Sequence, residues 1–353
     1  WKSNNNDNMK FNAIVGNPPY QEMDGGGESG SSAKPIYQHF VNISKKLNPD
    51  YISLIMPTRW YSGGKGLDDF RKSMLKDSKI AILHDFLNPE EVFLNTNIRG
   101  GICYFLWDTT YNNKLNLTQV VTHNGNGVTT SNMRSLKSEG SDIFIRHEIG
   151  LQILEKVKRH KYFKSFEKNV SSRKPFGLDS KFNRSSAFHN SKDGLTNPLI
   201  CYAKGKTIGY IEKNDFKFNE SLFKNYKVLT SFANNIGTEL NDDNLNSFIA
   251  EPESVCTETY IILGYNLELT EVSANNLSKY FRTKFARFLH SLAKSNQNGT
   301  SKTYKFVPLQ DFTEKSDIDW SKPIPEIDKQ LYHKYDLNEE EINFIESMIK
   351  PME

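Results

Sequence analysis

Apolar residues along this chain alternate between short continuous runs and stripes at helical spacing. Residues 11–16, Phe-Asn-Ala-Ile-Val-Gly, form an apolar run that stops at Asn17-Pro18-Pro19-Tyr20 and reads as a buried strand. Ile36, Phe40, Ile43 and Leu47 follow at the spacing of an inward-facing helical stripe. Tyr51–Pro57 is a continuous apolar strand. A helix is predicted over 67–76, with Leu67, Phe70 and Met74 inward, and a strand over 79–86. Such alternation argues for a doubly wound parallel sheet. The runs 101–108 and 115–121 lie too close together for a helical crossover, so they are expected to pair antiparallel at the edge of that sheet. The fold class is therefore α/β: a partial doubly wound sheet, mainly parallel with an antiparallel edge.

From His123 to about Ser141 the chain is rich in Asn, Gly, Thr and Ser, with little periodicity, and reads as a connector. The expected divisions are 1–122 for the sheet domain, 123–145 for the connector, 146–310 for an α+β domain, and 311–353 for a tail with a short helix. Within the second domain Ser273 is placed to cap one long helix. Leu277, Phe281, Phe285, Phe288 and Leu292 would face inward, with Lys279, Arg282, Lys284 and Arg287 on other faces. In the tail, Asn338 and Glu341 form a capping box ahead of Ile342, Ile345 and Ile349.

Composition adds bounds. A chain of 353 residues can hold two cores, and its formal charge of +3 identifies no partner. The distribution of charge says more. Residues 151–206 carry thirteen Lys and Arg against four Asp and Glu, interleaved with Tyr162, Phe163, Phe166, Phe176, Phe182, Phe188 and Tyr202. That is a basic surface with stacking groups, suited to nucleic acid. Cys103, Cys201 and Cys256 are far apart and show no metal-ligand spacing, so a reducing cytoplasm fits and neither a disulfide framework nor a metal site is expected. The longest apolar runs fall well short of the ~20 residues that cross a bilayer, and no membrane partner is expected. Because the chain opens at Trp1 with an Asn-rich lead-in, it is expected to be part of something longer.

The chemistry concentrates at Asn17-Pro18-Pro19-Tyr20. Proline has a carbonyl but no N–H, so two prolines after an Asn make a rigid turn rich in acceptors and poor in donors. Such a site suits a substrate that presents hydrogens, above all an amino group. The exocyclic amine of a purine is a poor nucleophile because its lone pair is delocalised into the ring. Accepting its two hydrogens at the Asn17 side-chain oxygen and the Pro18 carbonyl favours a pyramidal nitrogen with a localised lone pair. Tyr20 offers a face on which the ring stacks, worth about 1–3 kcal/mol. Proline pairs also serve as plain tight turns, but the apolar strand leading into this one favours the chemical reading.

With those residues in view, the chain resembles the N6-adenine DNA methyltransferases of the Eco57I type found in restriction–modification systems. The resemblance runs through 11–20, Pro35-Ile36-Tyr37, Met56-Pro57-Thr58-Arg59-Trp60, Glu91-Val92-Phe93 and Gly100-Gly101-Ile102-Cys103-Tyr104-Phe105. It continues distally through Ser172-Arg173-Lys174-Pro175-Phe176-Gly177, Cys256-Thr257-Glu258-Thr259-Tyr260 and Phe306-Val307-Pro308-Leu309-Gln310, which look like target-recognition segments. The resemblance implies that Asn17, Pro18, Pro19 and Tyr20 hold a flipped adenine, with Phe93 on its opposite face. The implied methyl donor is S-adenosylmethionine and the implied partner double-stranded DNA. Arg173 and Lys174, with Lys181 and Arg184, are the implied DNA contacts. The first domain would then be the C-terminal half of a methyltransferase catalytic domain and the second a target-recognition domain.

The chain departs from that family at the cofactor. The family's Gly-rich turn and following acid are absent before residue 11, and neither Gly63-Gly64-Lys65-Gly66 nor Gly100-Gly101 has the strand–turn–helix–acid arrangement. The cofactor-binding portion is thus expected upstream of Trp1, with or without a fused or separate endonuclease. Two other readings compete. A metal-dependent nuclease would use Pro49-Asp50 with Asp77-Ser78-Lys79, a loose pattern falling where strands begin. A non-catalytic specificity module would need the basic middle but not the Asn-Pro-Pro-Tyr turn.

Overall fold

A computed structural model describes residues 11–22, 33–95, 98, 100–112, 114–124, 127, 129–138, 141–216, 220–234, 245, 247–294 and 298–352. The Asn-rich lead-in and the Gly/Ser loop at 25–32 lie outside the described residues. Contacts divide the chain after His147 into two units, Trp1–His147 and Glu148–Glu353.

The first unit contains β1 (Ala13–Gly16), α1 (Tyr37–Lys46), β2 (Tyr51–Pro57), α2 (Asp68–Leu75), β3 (Ile80–Phe86), β4 (Ile102–Asp108), β5 (Thr118–His123) and β6 (Thr129–Arg134). They form one sheet of six strands in the order β1-β2-β4-β3-β5-β6. Because β1 is parallel to β2, β4 antiparallel to both β2 and β3, and β5 parallel to β3, the strands β1, β2, β3 and β5 all run the same way. The carboxyl ends of those strands therefore share one edge. Alternate residues Ile52, Leu54 and Met56 of β2 are buried, and they join Leu83, Cys103, Phe105 and Trp107 in a core with Val41, Trp60, Phe70 and Met74. The helix of 67–76 is present as α2, with Leu67, Phe70 and Met74 inward as the spacing predicts.

Four sequence expectations fail here, each for a nonlocal reason. The first strand is not buried: β1 is an edge strand and Val15 is 77% exposed. The apolar stripe of α1 does not face the core either. Phe40, Ile43 and Leu47 are 40, 56 and 48% exposed, while Tyr37, Gln38, Val41 and Ser44 face inward. Periodicity identified an apolar face but not what that face meets. The runs 101–108 and 115–121 do not pair with each other: β4 inserts between β2 and β3, and β5 joins the far side of β3. The antiparallel edge is supplied by β6, inside the stretch read as connector, whose Thr-Thr-Ser-Asn-Met residues are all exposed and leave no alternating pattern.

The second unit contains α3 (Glu148–Arg159), β7 (Pro198–Tyr202), β8 (Ile208–Glu212), α4 (Glu220–Lys224), β9 (Lys227–Ser231), β10 (Phe248–Ala250), β11 (Ser254–Cys256), β12 (Tyr260–Leu263), α5 (Glu271–Tyr280), α6 (Lys284–Leu292), α7 (Ile324–Lys334) and α8 (Glu339–Met348). Two three-stranded sheets form, β10-β9-β12 and β11-β7-β8. The predicted single long helix is two. Thr270, not Ser273, is the N-cap of α5, with Ser273 completing its capping box, and Thr283 caps α6 after a break at 281–283. Arg287 is fully buried instead of lying on an outer face, because its Nε donates to the Thr283 carbonyl and its Nη2 to the Lys350 carbonyl. Asp328 of α7 accepts from the backbone N–H groups of Lys284 and Phe285, satisfying donors that a helix start leaves open. The capping box of Asn338 and Glu341 forms as predicted.

Candidate functional site

Asn17-Pro18-Pro19-Tyr20 leaves β1 at the carboxyl edge of the first sheet, the position where open α/β sheets bind ligands. Asn17 and Pro19 are exposed, Pro18 is buried and Tyr20 is half-buried. Among the described residues no hydrogen bond engages the Asn17 side chain. The chain then doubles back: Tyr20 accepts from the Ile36 N–H at 3.1 Å, Glu22 donates to the Lys34 carbonyl at 3.0 Å, and α1 begins beside the motif. The Tyr20 hydroxyl is shielded from solvent without a hydrogen-bond partner among the described residues. Burial, reinforced by the neighbouring Cys103, pushes its pKa up to about 12, so it stays a neutral phenol and an apolar face.

Beneath this edge lies a rigid floor. The Trp60 indole Nε1 donates to Cys103 Sγ at 3.4 Å, and Trp60 meets Tyr61 and Phe70 edge to face. Burial lifts the Cys103 thiol to about 12, which makes it an inert packing group. Asp85, at the end of β3, is fully buried and held bidentately by Arg146, with Nε to Oδ2 at 2.9 Å and Nη2 to Oδ1 at 2.7 Å. The Tyr61 hydroxyl adds a third hydrogen bond at 3.2 Å. The segment after β6 is thereby tied to the strand ends that carry the candidate site. Neither Asp85 nor Arg146 was singled out in the sequence, because two residues 61 apart give no spacing signal.

The glycine clusters serve this packing. A Cβ on Gly63 would sit 1.8 Å from Arg71 Nη1, and one on Gly101 would sit 2.4 Å from both Arg146 Nη2 and the Phe86 carbonyl. Both have positive φ, which glycine tolerates. Arg71 and Arg146 fill the space beside Gly63 and Gly101, whereas nothing lies within 4 Å of a Cβ placed on Gly64 or Gly66.

Phe93 follows a single helical turn after β3 and is half-buried, its N–H bonded to the Pro89 carbonyl at 2.9 Å. Its loop and the Asn17 turn rise from the same edge. By the strand order they are three strand intervals apart, about 14 Å at the usual spacing. The residues of the nuclease pattern lie elsewhere. Asp77 precedes β3 at the opposite edge, where it is ion-paired with Lys45 at 2.6 Å and accepts from Trp107 Nε1. Among the described residues no group of three His, Cys, Asp or Glu is arranged to hold a metal. No helix among the described residues is long and apolar enough to cross a membrane.

In the second unit the four basic candidates share one loop stretch. Phe176 and Leu178 are buried and anchor it, and the turn closes with the Gly177 N–H on the Lys174 carbonyl at 3.0 Å. Lys174 takes the left-handed conformation, φ +61°, uncommon for a residue other than glycine. Arg173, Lys174, Lys181 and Arg184 are exposed. Lys181 and Arg184 belong to a turn in which the Lys181 N–H meets Asp179 Oδ1 at 2.7 Å and the Arg184 N–H meets the Lys181 carbonyl at 2.9 Å. Glu258, from the segment Cys256-Thr257-Glu258-Thr259-Tyr260, and Phe232, which the sequence did not single out, sit against Arg173.

Comparison with known proteins bears on the first unit. Residues 1–93 match the Eco57I restriction-modification methylase family. An uncharacterized adenine-specific methylase of Mycoplasma pneumoniae is 37% identical over 107 residues, 30% of this chain and 25% of that protein. The matched stretch thus spans about a quarter of that relative. Two solved structures are distantly similar. The type IIG restriction endonuclease BpuSI shares 10% identity over 91% of this chain and 49% of its own, with a TM-score of 0.35. The type IIL restriction-modification enzyme MmeI, solved with DNA, shares 8% identity over 97% of this chain and 55% of its own, with a TM-score of 0.45.

Proposed function

We propose that this chain is the adenine-gripping and DNA-reading part of a restriction–modification enzyme that methylates adenine N6 in duplex DNA. The observation that carries the reading is the exposed, unengaged Asn17 at the carboxyl edge of β1, within the stretch that matches the methylase family. The Asn17 side-chain oxygen and the Pro18 carbonyl accept the two amine hydrogens, Tyr20 stacks on one face of the base, and Phe93 closes from the β3 side. The base must leave the helix to reach this edge, at a cost of a few kcal/mol that stacking and acceptor contacts offset. S-adenosylmethionine supplies the methyl group. Its pocket belongs to a further portion of the enzyme that adds to the edge of β1 that pairs with no described strand, where Val15 is an exposed apolar side chain, as are Phe40, Ile43 and Leu47 of and after α1. The enzyme acts in the cytoplasm, alone or with an endonuclease.

The engagement of Asp77 by Lys45 and Trp107 disfavours the nuclease reading. The test is to express the natural protein containing this chain in a methylation-free host and map modified bases by single-molecule sequencing. N6-methyladenine at one recurrent sequence is expected. An unmodified genome, or modification at cytosine, would overturn the proposal.

A further inference from the structure

Arg173 is held on two sides. Its Nε lies 3.2 Å from Glu258 Oε2, and its guanidinium carbon stands 4.7 Å over the ring of Phe232. Glu258 is itself fixed: its carboxylate accepts from the Ser180 N–H at 3.2 Å, its own N–H donates to the Leu178 carbonyl at 2.8 Å, and the residue is buried. Phe232 continues from β9 and is tied to the Thr259 carbonyl at 2.8 Å. Among the described residues neither Nη group of Arg173 donates a hydrogen bond, and the side chain remains 54% exposed. The guanidinium is therefore contacted at its Nε and over one face, and neither Nη group is engaged among the described residues.

That geometry discriminates between two uses of an arginine. A phosphate contact needs charge and tolerates a mobile side chain. Here the charge is partly neutralised, since Glu258 Oε2 faces both Arg173 and Lys174, the latter at 3.6 Å. What survives neutralisation is direction: a planar pair of donors suited to two acceptors side by side on an uncharged edge. Guanine presents that pair, O6 and N7, in the major groove. We propose that Arg173 reads a guanine in the recognition sequence and that Glu258 and Phe232 are the positioning residues that hold it in plane. The assignment rests on the reading that the second unit docks on duplex DNA.

The test is selection of bound duplexes from a randomised pool by the full chain and by its variants, followed by affinity measurement on the selected sequence. The unsubstituted chain is expected to select a sequence with one invariant guanine that Arg173→Ala no longer requires, with affinity falling about 5- to 150-fold. Replacing that guanine by 7-deazaguanine, which lacks the N7 acceptor, should weaken the unsubstituted protein and leave Arg173→Ala unchanged. This arm needs no variant that might misfold. Glu258→Gln and Phe232→Leu should relax the same position alone, and Phe232→Tyr should restore it. If Arg173→Ala weakens all sequences equally and leaves the selected sequence intact, Arg173 is a phosphate contact and the proposal fails. Binding without any selected guanine also overturns it. Failure of the unsubstituted chain to bind any duplex would instead overturn the underlying DNA-docking reading.

Discussion

Replacing Arg146 by methionine tests whether the floor of the candidate site depends on one buried ion pair. Asp85 is fully buried and takes two of its three hydrogen bonds from Arg146, at 2.7 and 2.9 Å. Methionine keeps much of the packing over Tyr61 but leaves the carboxylate with the Tyr61 hydroxyl alone. Stranding a buried charge in this way costs about 3–5 kcal/mol. At a urea dependence of about 2 kcal/mol per molar, the midpoint for the first unit should fall by about 2 M. Trp60 and Trp107 report on this unit by fluorescence, and amide hydrogen exchange at β3 and β4 localises the loss. Removing both charges, Asp85→Leu with Arg146→Met, should recover most of the stability, because the penalty comes from the unpaired carboxylate. A loss under about 1 kcal/mol for Arg146→Met, or a double variant no better than the single, would refute the reasoning.

Other consequences follow from the same contacts. His290 is fully buried against Tyr304 and near Lys294, and burial followed by the lysine charge holds its pKa well below the ordinary histidine range. Its folded pKa is depressed, so stability is full above about pH 6.5 and declines as pH falls, by about 1.4 kcal/mol per pH unit from this group. Denaturation curves between pH 7.5 and 5 should show that decline, and His290→Phe should flatten it; an unchanged slope would contradict the assignment. If Lys181 and Arg184 each meet a phosphate, the plot of log affinity against log salt should have a slope near −2 from these contacts, about one unit less steep for each alanine substitution. Titration of the chain alone with S-adenosylmethionine by calorimetry should show no micromolar binding, because the methyl-donor pocket is proposed to lie in a further portion of the enzyme. Micromolar heat would contradict that account.

What the sequence disclosed depended on how local each feature is. β2 could be read residue for residue because both its faces meet apolar or half-buried surroundings, and the Asn338 capping box because its partners are three residues apart. The insertion of β4 between β2 and β3 is a pairing choice that no local pattern encodes. In the helical region, Thr283 divided what apolar spacing alone joined, since the stripe of Leu277, Phe281 and Phe285 runs on through the break. At the candidate site, Asn17-Pro18-Pro19-Tyr20 was legible because the motif is contiguous. The pairing of Arg146 with Asp85 in the same unit was not, because the two meet only through folding, and the same holds for Arg173 and Glu258 within the second unit.

The most direct test of the central claim is Asn17→Ala in the natural enzyme containing this chain. Tritium transfer from S-adenosylmethionine to its target duplex should fall to background, while duplex affinity changes less than about threefold, because Asn17 is exposed and supports no other contact among the described residues. Methylation of adenine at the unsubstituted rate by the alanine variant would contradict the account.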